Sequence, residues 1–287
     1  MTGLSLRHYL SLVKFSHTVF ALPFALVGFA MGLDAEGQSF HWSTALLVLA
    51  CMVLARTAAM AFNRWADRHL DALNERTRQR EIPSGIISAE NSLRLVIISS
   101  LLFVICTAFI NSLCFYLSPL ALAVILGYSY TKRFTSLSHF ILGLGLSFAP
   151  LGAFMAVTAR LEWMPVVMAL AVLCWVSGFD ILYAMQDIDF DRRQQLYSIP
   201  ARLGIKASLK VARSLHLMSS LLLLVVYLMG HVNWLYLLAW IFFSAMLIYQ
   251  HLLLRPDDLS RLNTAFFTAN SLASLFFGLL ATAAFLL

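Results

Sequence analysis

The segment N-R-W-A-D-R-H-L-D-A-L-N-E-R-T-R-Q-R-E-I-P-S-G, residues 63–85, starts where a long apolar run ends. It sets Asn63, Asp67 and Asp71 at i, i+4 and i+8. On a helix these three share a face, each about 6 Å beyond the last. Arg68, Arg76, Arg78 and Arg80 follow at once. Hard oxygen donors backed by guanidinium groups suit a divalent cation carrying a polyanion. A second segment, D-I-L-Y-A-M-Q-D-I-D-F-D at 180–191, has the same character and also closes an apolar run. Asp180 and Asp187, seven apart, share a helical face; Asp191 continues it and Asp189 points elsewhere. Two acidic helix ends facing one another would form a metal–diphosphate site. The rest of the chain reads as the box that holds them.

That box lies in a membrane. Of 287 residues, 61% are hydrophobic and 12% charged, where a soluble domain has roughly half and a quarter. Apolar runs recur at 14–33, 42–63, 91–110, 113–130, 137–158, 163–184, 209–229, 232–252 and 262–286. Each approaches the ~20 residues that a spanning helix needs. The expected fold is an all-α integral membrane protein, with about nine transmembrane helices in one bundle enclosing a lateral cavity and with cytoplasmic cap loops. No polar or low-complexity linker interrupts the pattern, so residues 1–287 read as one domain. The first run is read as a helix rather than a signal peptide, because D-A-E-G-Q after it lacks a small-residue cleavage pattern. Cys51, Cys106, Cys114 and Cys174 all lie inside apolar runs without C-x-x-C spacing, which excludes a zinc or disulfide framework.

A net charge of +6 raises the question of nucleic acid, and its distribution answers it. With nine spans, one side of the membrane holds Arg7, Lys14, the Arg64–Arg94 group, Lys132, Arg133, the Arg192–Arg213 group, Arg255 and Arg261. The opposite loops hold only Arg160. The asymmetry places the N-terminus and both acidic segments in the cytoplasm and the C-terminus outside. Topology and contact with anionic lipid account for these cations, and no nucleic-acid partner is expected.

A few polar residues fall within or at the edges of the apolar runs. Lys14 and His17 open the first, and Pro23 bends it. Arg56 lies seven residues before Asn63, on the same face and about 10 Å deeper. A guanidinium at that depth needs a polar cavity and a partner, which makes Arg56 a functional candidate. Tyr128, Lys132 and Arg133 gather at the end of the fourth run, while Gly143, Gly145, Pro150 and Gly152 in the fifth permit close packing or bending.

Five aspartates at one membrane edge repel one another unless cations neutralise them. Magnesium takes carboxylate and amide oxygens and bridges to phosphate. Lys132, Arg133 and the loop arginines would neutralise the outer oxygens of a diphosphate. Diphosphate at the mouth of an apolar bundle implies a lipid tail. The metal makes it a leaving group, and Tyr128, Tyr130, Tyr183 and nearby Phe rings can stabilise an allylic cation through their faces.

At these residues the chain resembles the UbiA superfamily of intramembrane aromatic prenyltransferases. N-x-x-x-D-x-x-x-D followed by R-T-x-x-R corresponds to Asn63, Asp67, Asp71, Arg76, Thr77 and Arg80. D-x-x-Y-A-x-x-D-x-x-x-D corresponds to Asp180, Tyr183, Ala184, Asp187 and Asp191, and Y-x-x-x-K-R to Tyr128, Lys132 and Arg133. Where many members carry Asp after the motif Asn, this chain has Arg64. The look is nearest to the 4-hydroxybenzoate polyprenyltransferase-like branch. N-R-x-x-D-R, D-A-L-N and F-S-H-T-V-F-A-L-P-F also look like relatives that prenylate a dihydroxynaphthoate for menaquinone. The resemblance implies magnesium-dependent transfer from polyprenyl diphosphate to a ring carbon of a hydroxylated aromatic acid, in the inner membrane and in respiratory quinone synthesis. It implies Asn63, Asp67, Asp71, Asp187 and Asp191 at the metal, four of them catalytic carboxylates. Arg68, Arg76, Arg80, Tyr128, Lys132 and Arg133 would lie at the diphosphate, and Asp180 and Tyr183 at the acceptor; Arg56, from its depth, would hold the acceptor's carboxylate or pair with Asp180. The ring proton would go to a group such as Asp180 or Asp187.

A cation-coupled secondary transporter is the rival reading. Transporters place coupling sites at the midplane on interrupted helices with repeat symmetry, whereas most acids here sit at helix ends.

Overall fold

The computed structural model describes residues 6–13, 20–37, 40–230 and 232–287. Lys14 and His17 lie outside them. Regular structure in the described residues is helical, apart from one isolated bridge between Arg255 and Asp258. In chain order the helices are α1 Leu6–Leu12, α2 Leu22–Glu36, α3 Trp42–Ala66, α4 Arg68–Leu73, α5 Ala89–Ile110 and α6 Ser112–Thr131. They continue with α7 Ser138–Thr158, α8 Trp163–Ala184, α9 Ile188–Arg193, α10 Ile199–Gly230, α11 Trp234–Leu252 and α12 Asn270–Leu286.

Among the described residues, 8 helices are long and apolar enough to cross a membrane. The all-helical membrane fold is therefore as expected, and the count differs by one. The expected first run, 14–33, is described only in part: residues 14–19 lie outside the described residues, and the remainder leads into α2.

The chain folds as two compact units, one of Met1–Thr18 and Ala45–Tyr130, the other of Val19–Thr44 and Thr131–Leu287. The first has a small core of Leu12, Val13, Ala61, Ile87 and Val96. Ser92 Oγ donates to the Ala61 carbonyl at 3.0 Å and fastens α5 to α3. Ser88 caps α5 by accepting from the Asn91 N–H. Asn111 alone joins α5 to α6: its backbone is extended, its N–H closes α5 on Thr107, and its Oδ1 accepts the Cys114 N–H at 2.9 Å. The outer face of α5 exposes Ile97, Ile98, Leu101, Ile105 and Phe109, as a lipid-facing helix should.

The second unit packs α2 on α7 and α12, α8 on α7 and α10, and α11 on α12. Lipid is as apolar as leucine, so shape rather than water exclusion holds such helices together. Gly28 and Gly32, a G-x-x-x-G pair, let α2 meet α7 at backbone distance, where a Cβ on Gly28 would overlap the Pro150 carbonyl. Phe24, Trp175, Phe243 and Phe277 fill the centre, with Phe24 stacked on Phe277 at 5.3 Å. Several polar atoms in this core are paired. Trp175 Nε1 donates to Asn270 Oδ1 at 2.9 Å. Asn270 Nδ2 in turn donates to the carbonyls of Ala265 and Phe266, which belong to a wider, π-helical turn over Thr264–Ala269. His216 Nε2 donates to the Trp175 carbonyl, and His216 Nδ1 lies 2.8 Å from His251 Nε2. A carbonyl can only accept, so Nδ1 of His216 is the acceptor and His251 the donor. Finally, α10 is broken at Gly204, whose φ of 76° and ψ of 173° suit glycine almost alone.

Candidate active site

In the first unit α3 runs unbroken from Trp42 to Ala66, which keeps Arg56 on the Asn63 face. Asp67, with φ −92° and ψ 4°, interrupts the helix, yet its N–H still reaches the Asn63 carbonyl (2.9 Å) and the Asp71 N–H the Asp67 carbonyl (2.8 Å). The i, i+4, i+8 register therefore survives the junction with α4. Asn63 Nδ2 donates to Asp67 Oδ2 at 3.2 Å. Asp67 and Asp71 are 2% and 6% exposed, a degree of burial that carboxylates bear only with cations or donors around them. Arg80 supplies one, its NH1 reaching both Asp71 oxygens at 2.8 and 2.9 Å. Thr77 Oγ1 donates to the Asp71 carbonyl, and Asn74 Oδ1 accepts the Arg76 N–H, so the R-T-x-x-R element wraps the end of α4. Arg64 is buried within electrostatic reach of Asp71 and Arg80. Tyr128 interacts electrostatically with both Arg56 and Arg64. Arg68 is engaged by Trp65: NH1 donates to the Trp65 carbonyl at 2.7 Å and the guanidinium lies over the Trp65 ring.

In the second unit the acidic segment is not one helix. Asp180 is in α8, a 3-10 turn covers Met185–Asp187, and Asp191 is in α9. Each residue of that turn rotates about 20° further than in an α-helix, so Asp187 and Asp191 are displaced by roughly 60° from the face a continuous helix would give. Asp187 and Asp191 remain half-buried, and Asp189 is exposed. Asp191 Oδ2 accepts from Ser198 Oγ at 2.7 Å. Asp180 Oδ2 lies 2.7 Å from His139 Nδ1. Within the same unit, the loop between α9 and α10 is fastened by the Tyr197 N–H on the Lys132 carbonyl, 2.7 Å. Tyr183 lies against Phe266 with ring centroids 4.1 Å apart, and Phe179 meets Phe266 at 5.5 Å. This aromatic surface begins one turn from Asp180 and continues through Phe20. Arg133 is exposed.

Among the described residues, no three His, Cys, Asp or Glu side chains converge into a closed metal cage. Magnesium rarely has one. It is usually held by one or two carboxylates while phosphate oxygens and waters fill the rest. Asn63 and Asp67 form such a partial set of hard donors, and Asp71 has lone pairs to share beyond those that face Arg80. The donor chemistry fits magnesium with an anionic substrate. The four cysteines are free and half-buried in the helices.

Sequence patterns did not single out His139 or Ser198. His139 is a lone histidine six residues after Arg133, without a motif. Ser198 stands in S-I-P-A ahead of α10, a helix-start signal with Pro in the first turn. Nothing in that signal names its bond to Asp191.

The family model described as "UbiA prenyltransferase family" matches residues 21–283. A curated relative, the 4-hydroxybenzoate octaprenyltransferase of Francisella tularensis subsp. novicida, is 34% identical over 160 residues, 55% of this chain and 52% of that protein. The protein of the same name from Yersinia pseudotuberculosis is 37% identical over 139 residues, 48% of each chain. The chain spans about half the length of the curated relatives it matches. Among solved structures, the apo form of a UbiA homolog from Aeropyrum pernix superposes with a TM-score of 0.84 at 30% identity, over 92% of this chain and 96% of that one. A UbiA homolog from Archaeoglobus fulgidus bound to DMAPP and Mg2+ superposes with a TM-score of 0.75, over 97% and 99%. At 19% identity that second likeness is one of fold.

Proposed function

The chain belongs to the UbiA prenyltransferase family, and from that membership we propose that it moves a polyprenyl group from a polyprenyl diphosphate to a ring carbon of a hydroxylated aromatic acid. The observation that carries the proposal is the Asn63–Asp67–Asp71 ladder, unbroken through the α3–α4 junction with both carboxylates buried. An acceptor of the 4-hydroxybenzoate type is supported by the names of the two curated relatives.

In this reading Asn63, Asp67 and Asp71 would hold magnesium, and so would Asp187 and Asp191; bound metal would neutralise the diphosphate and make it a leaving group. Arg80 holds the Asp71 carboxylate in one orientation through its two short contacts. Arg76, Tyr128, Lys132 and Arg133 bind the outer phosphate oxygens. Arg68 joins them only by leaving its Trp65 contacts. Tyr183, with the phenylalanines packed behind it, offers ring faces to the departing allylic carbon and keeps water from it. Arg56 and Asp180 bind the aromatic acid. The new carbon–carbon bond leaves one proton in excess on the ring carbon, and its loss restores aromaticity, with Asp180 and Asp187 as candidate acceptors.

Membranes carrying the protein, a labelled polyprenyl diphosphate and a panel of aromatic acids test this, with products identified by mass. Ring-prenylated 4-hydroxybenzoate, formed with magnesium and not in EDTA, is expected. Prenylation of a dihydroxynaphthoate alone would move the acceptor assignment to the menaquinone branch. No prenylated product from any aromatic acid would overturn the proposal.

A further inference from the structure

The hydrogen bonds around His139 form a connected set. The ring is 3% exposed, between α7, α8 and the start of α10. The Ile199 N–H points at Nε2 from 3.3 Å, so Nε2 carries the lone pair and the ring proton is on Nδ1. Nδ1–H therefore donates to Asp180 Oδ2, at 2.7 Å. Ser177 Oγ, one turn before Asp180, lies 3.2 Å from the His139 carbonyl and 2.7 Å from the Leu173 carbonyl, and its one proton serves the nearer. The N-terminus of α10 is satisfied in the same stroke. Ile199 gives its N–H to His139, Pro200 has none to give, and Ala201 gives its own to Ser198 Oγ, whose hydroxyl donates to Asp191. Two adjacent residues, Ser198 and Ile199, thus connect Asp191 to Asp180 through one imidazole.

Asp180 is held from one side only. Its side chain keeps 25% of its surface accessible, while His139 keeps 4%. His139 is its one hydrogen-bond partner among the described residues. A carboxylate fixed through one oxygen presents the other in a set direction, as an acceptor for a donor on a small molecule. We propose that His139 is a positioning residue, which fixes the Asp180 carboxylate to receive the ring hydroxyl of the aromatic substrate. This deepens the function proposed above and rests on it. It also gives the loop before α10 a purpose: by fixing the imidazole tautomer, the Ile199 N–H decides that Asp180 receives a donor rather than a second lone pair.

Asparagine and glutamine separate this from a packing role. In His139→Asn, the introduced amide nitrogen would stand near the position of Nδ1 and keep the donor to Asp180. Glutamine reaches towards Nε2 and keeps only the Ile199 contact. His139→Asn, His139→Gln and His139→Leu are purified in detergent, with thermal midpoints recorded, and compared in two assays. Equilibrium binding of 4-hydroxybenzoate against benzoate needs no turnover. Wild type and His139→Asn should prefer the hydroxylated acid by roughly 10-fold or more, the size of a charge-assisted hydrogen bond, and His139→Gln should lose the preference. In transfer assays, His139→Gln should raise KM for 4-hydroxybenzoate about 10-fold and leave KM for the prenyl diphosphate within about twofold. If His139→Leu does not fold, the Asn and Gln pair still decides. A wild type without hydroxyl preference, Asn and Gln behaving alike, or both KM values rising together would overturn the assignment. Wild type that binds with the stated preference but transfers no prenyl group would overturn the proposed reaction instead.

Discussion

Replacing Asp67 with alanine removes a buried carboxylate but leaves the backbone ladder through the α3–α4 junction, which depends on main-chain atoms. Membrane insertion should therefore survive. Turnover should fall at least about 100-fold, the scale of losing a metal's charge stabilisation. Rate and membrane yield measured side by side check this, and a near-normal rate would remove the metal role. Arg56 tests the other substrate. It shares the Asn63 face about 10 Å further along α3, within electrostatic reach of Tyr128. If its planar fork grips the acceptor's carboxylate at two points, lysine is a poor replacement. Arg56→Lys should raise KM for 4-hydroxybenzoate roughly 10-fold or more and leave that for the prenyl diphosphate unchanged. Equal losses for both substrates would make Arg56 a structural cation.

At the scale of elements, the start of α10 combines stability with site geometry. Ser198→Ala removes the cap at Ala201 and the hydroxyl on Asp191 together. The cap should cost about 1 kcal/mol, read from the thermal midpoint. The loosened Asp191 should raise the magnesium concentration for half-maximal rate, and Ser198→Thr should restore both. A lower midpoint with an unchanged magnesium requirement would confine Ser198 to capping. The first acidic ladder was legible in the sequence because helical period and backbone ladder coincide from Asn63 to Asp71. The break between α5 and α6 was legible at Asn111 for a similar reason, since a polar residue with capping ability interrupts an apolar run. The 3-10 turn at Met185–Asp187 was not, as no glycine or proline marks it and about 20° of extra rotation per residue leaves no compositional trace. His139 was hidden because its partners, Asp180 and Ile199, lie 41 and 60 residues away. The π-helical turn before α12 escaped for the same reason, being stabilised by Asn270 and, through it, by Trp175 of α8.

For the molecule as a whole, the charge asymmetry makes a directional claim. Reporter fusions after Arg80, Arg133 and Arg202 should all report the cytoplasm, and a fusion at Leu287 the opposite side. A cytoplasmic C-terminus would leave an even number of crossings and remove α2 from the set of spans. The eight longer helices are unequal partners in the bilayer. The second unit has its own aromatic core, whereas the first places much of its surface against lipid. There, the single-residue joint at Asn111 has a mechanical consequence. Helices of 22 and 20 residues, some 30 Å each, meet with no slack between them. A bilayer too thin for this hairpin must be met by tilt, at a fraction of a kcal/mol per Å. Tilt about Asn111 moves the far end of α6 most, and that end carries Tyr128. Lipid chain length should thus tune the reaction rate without touching any residue of the site, with an optimum where hydrocarbon thickness matches the hairpin.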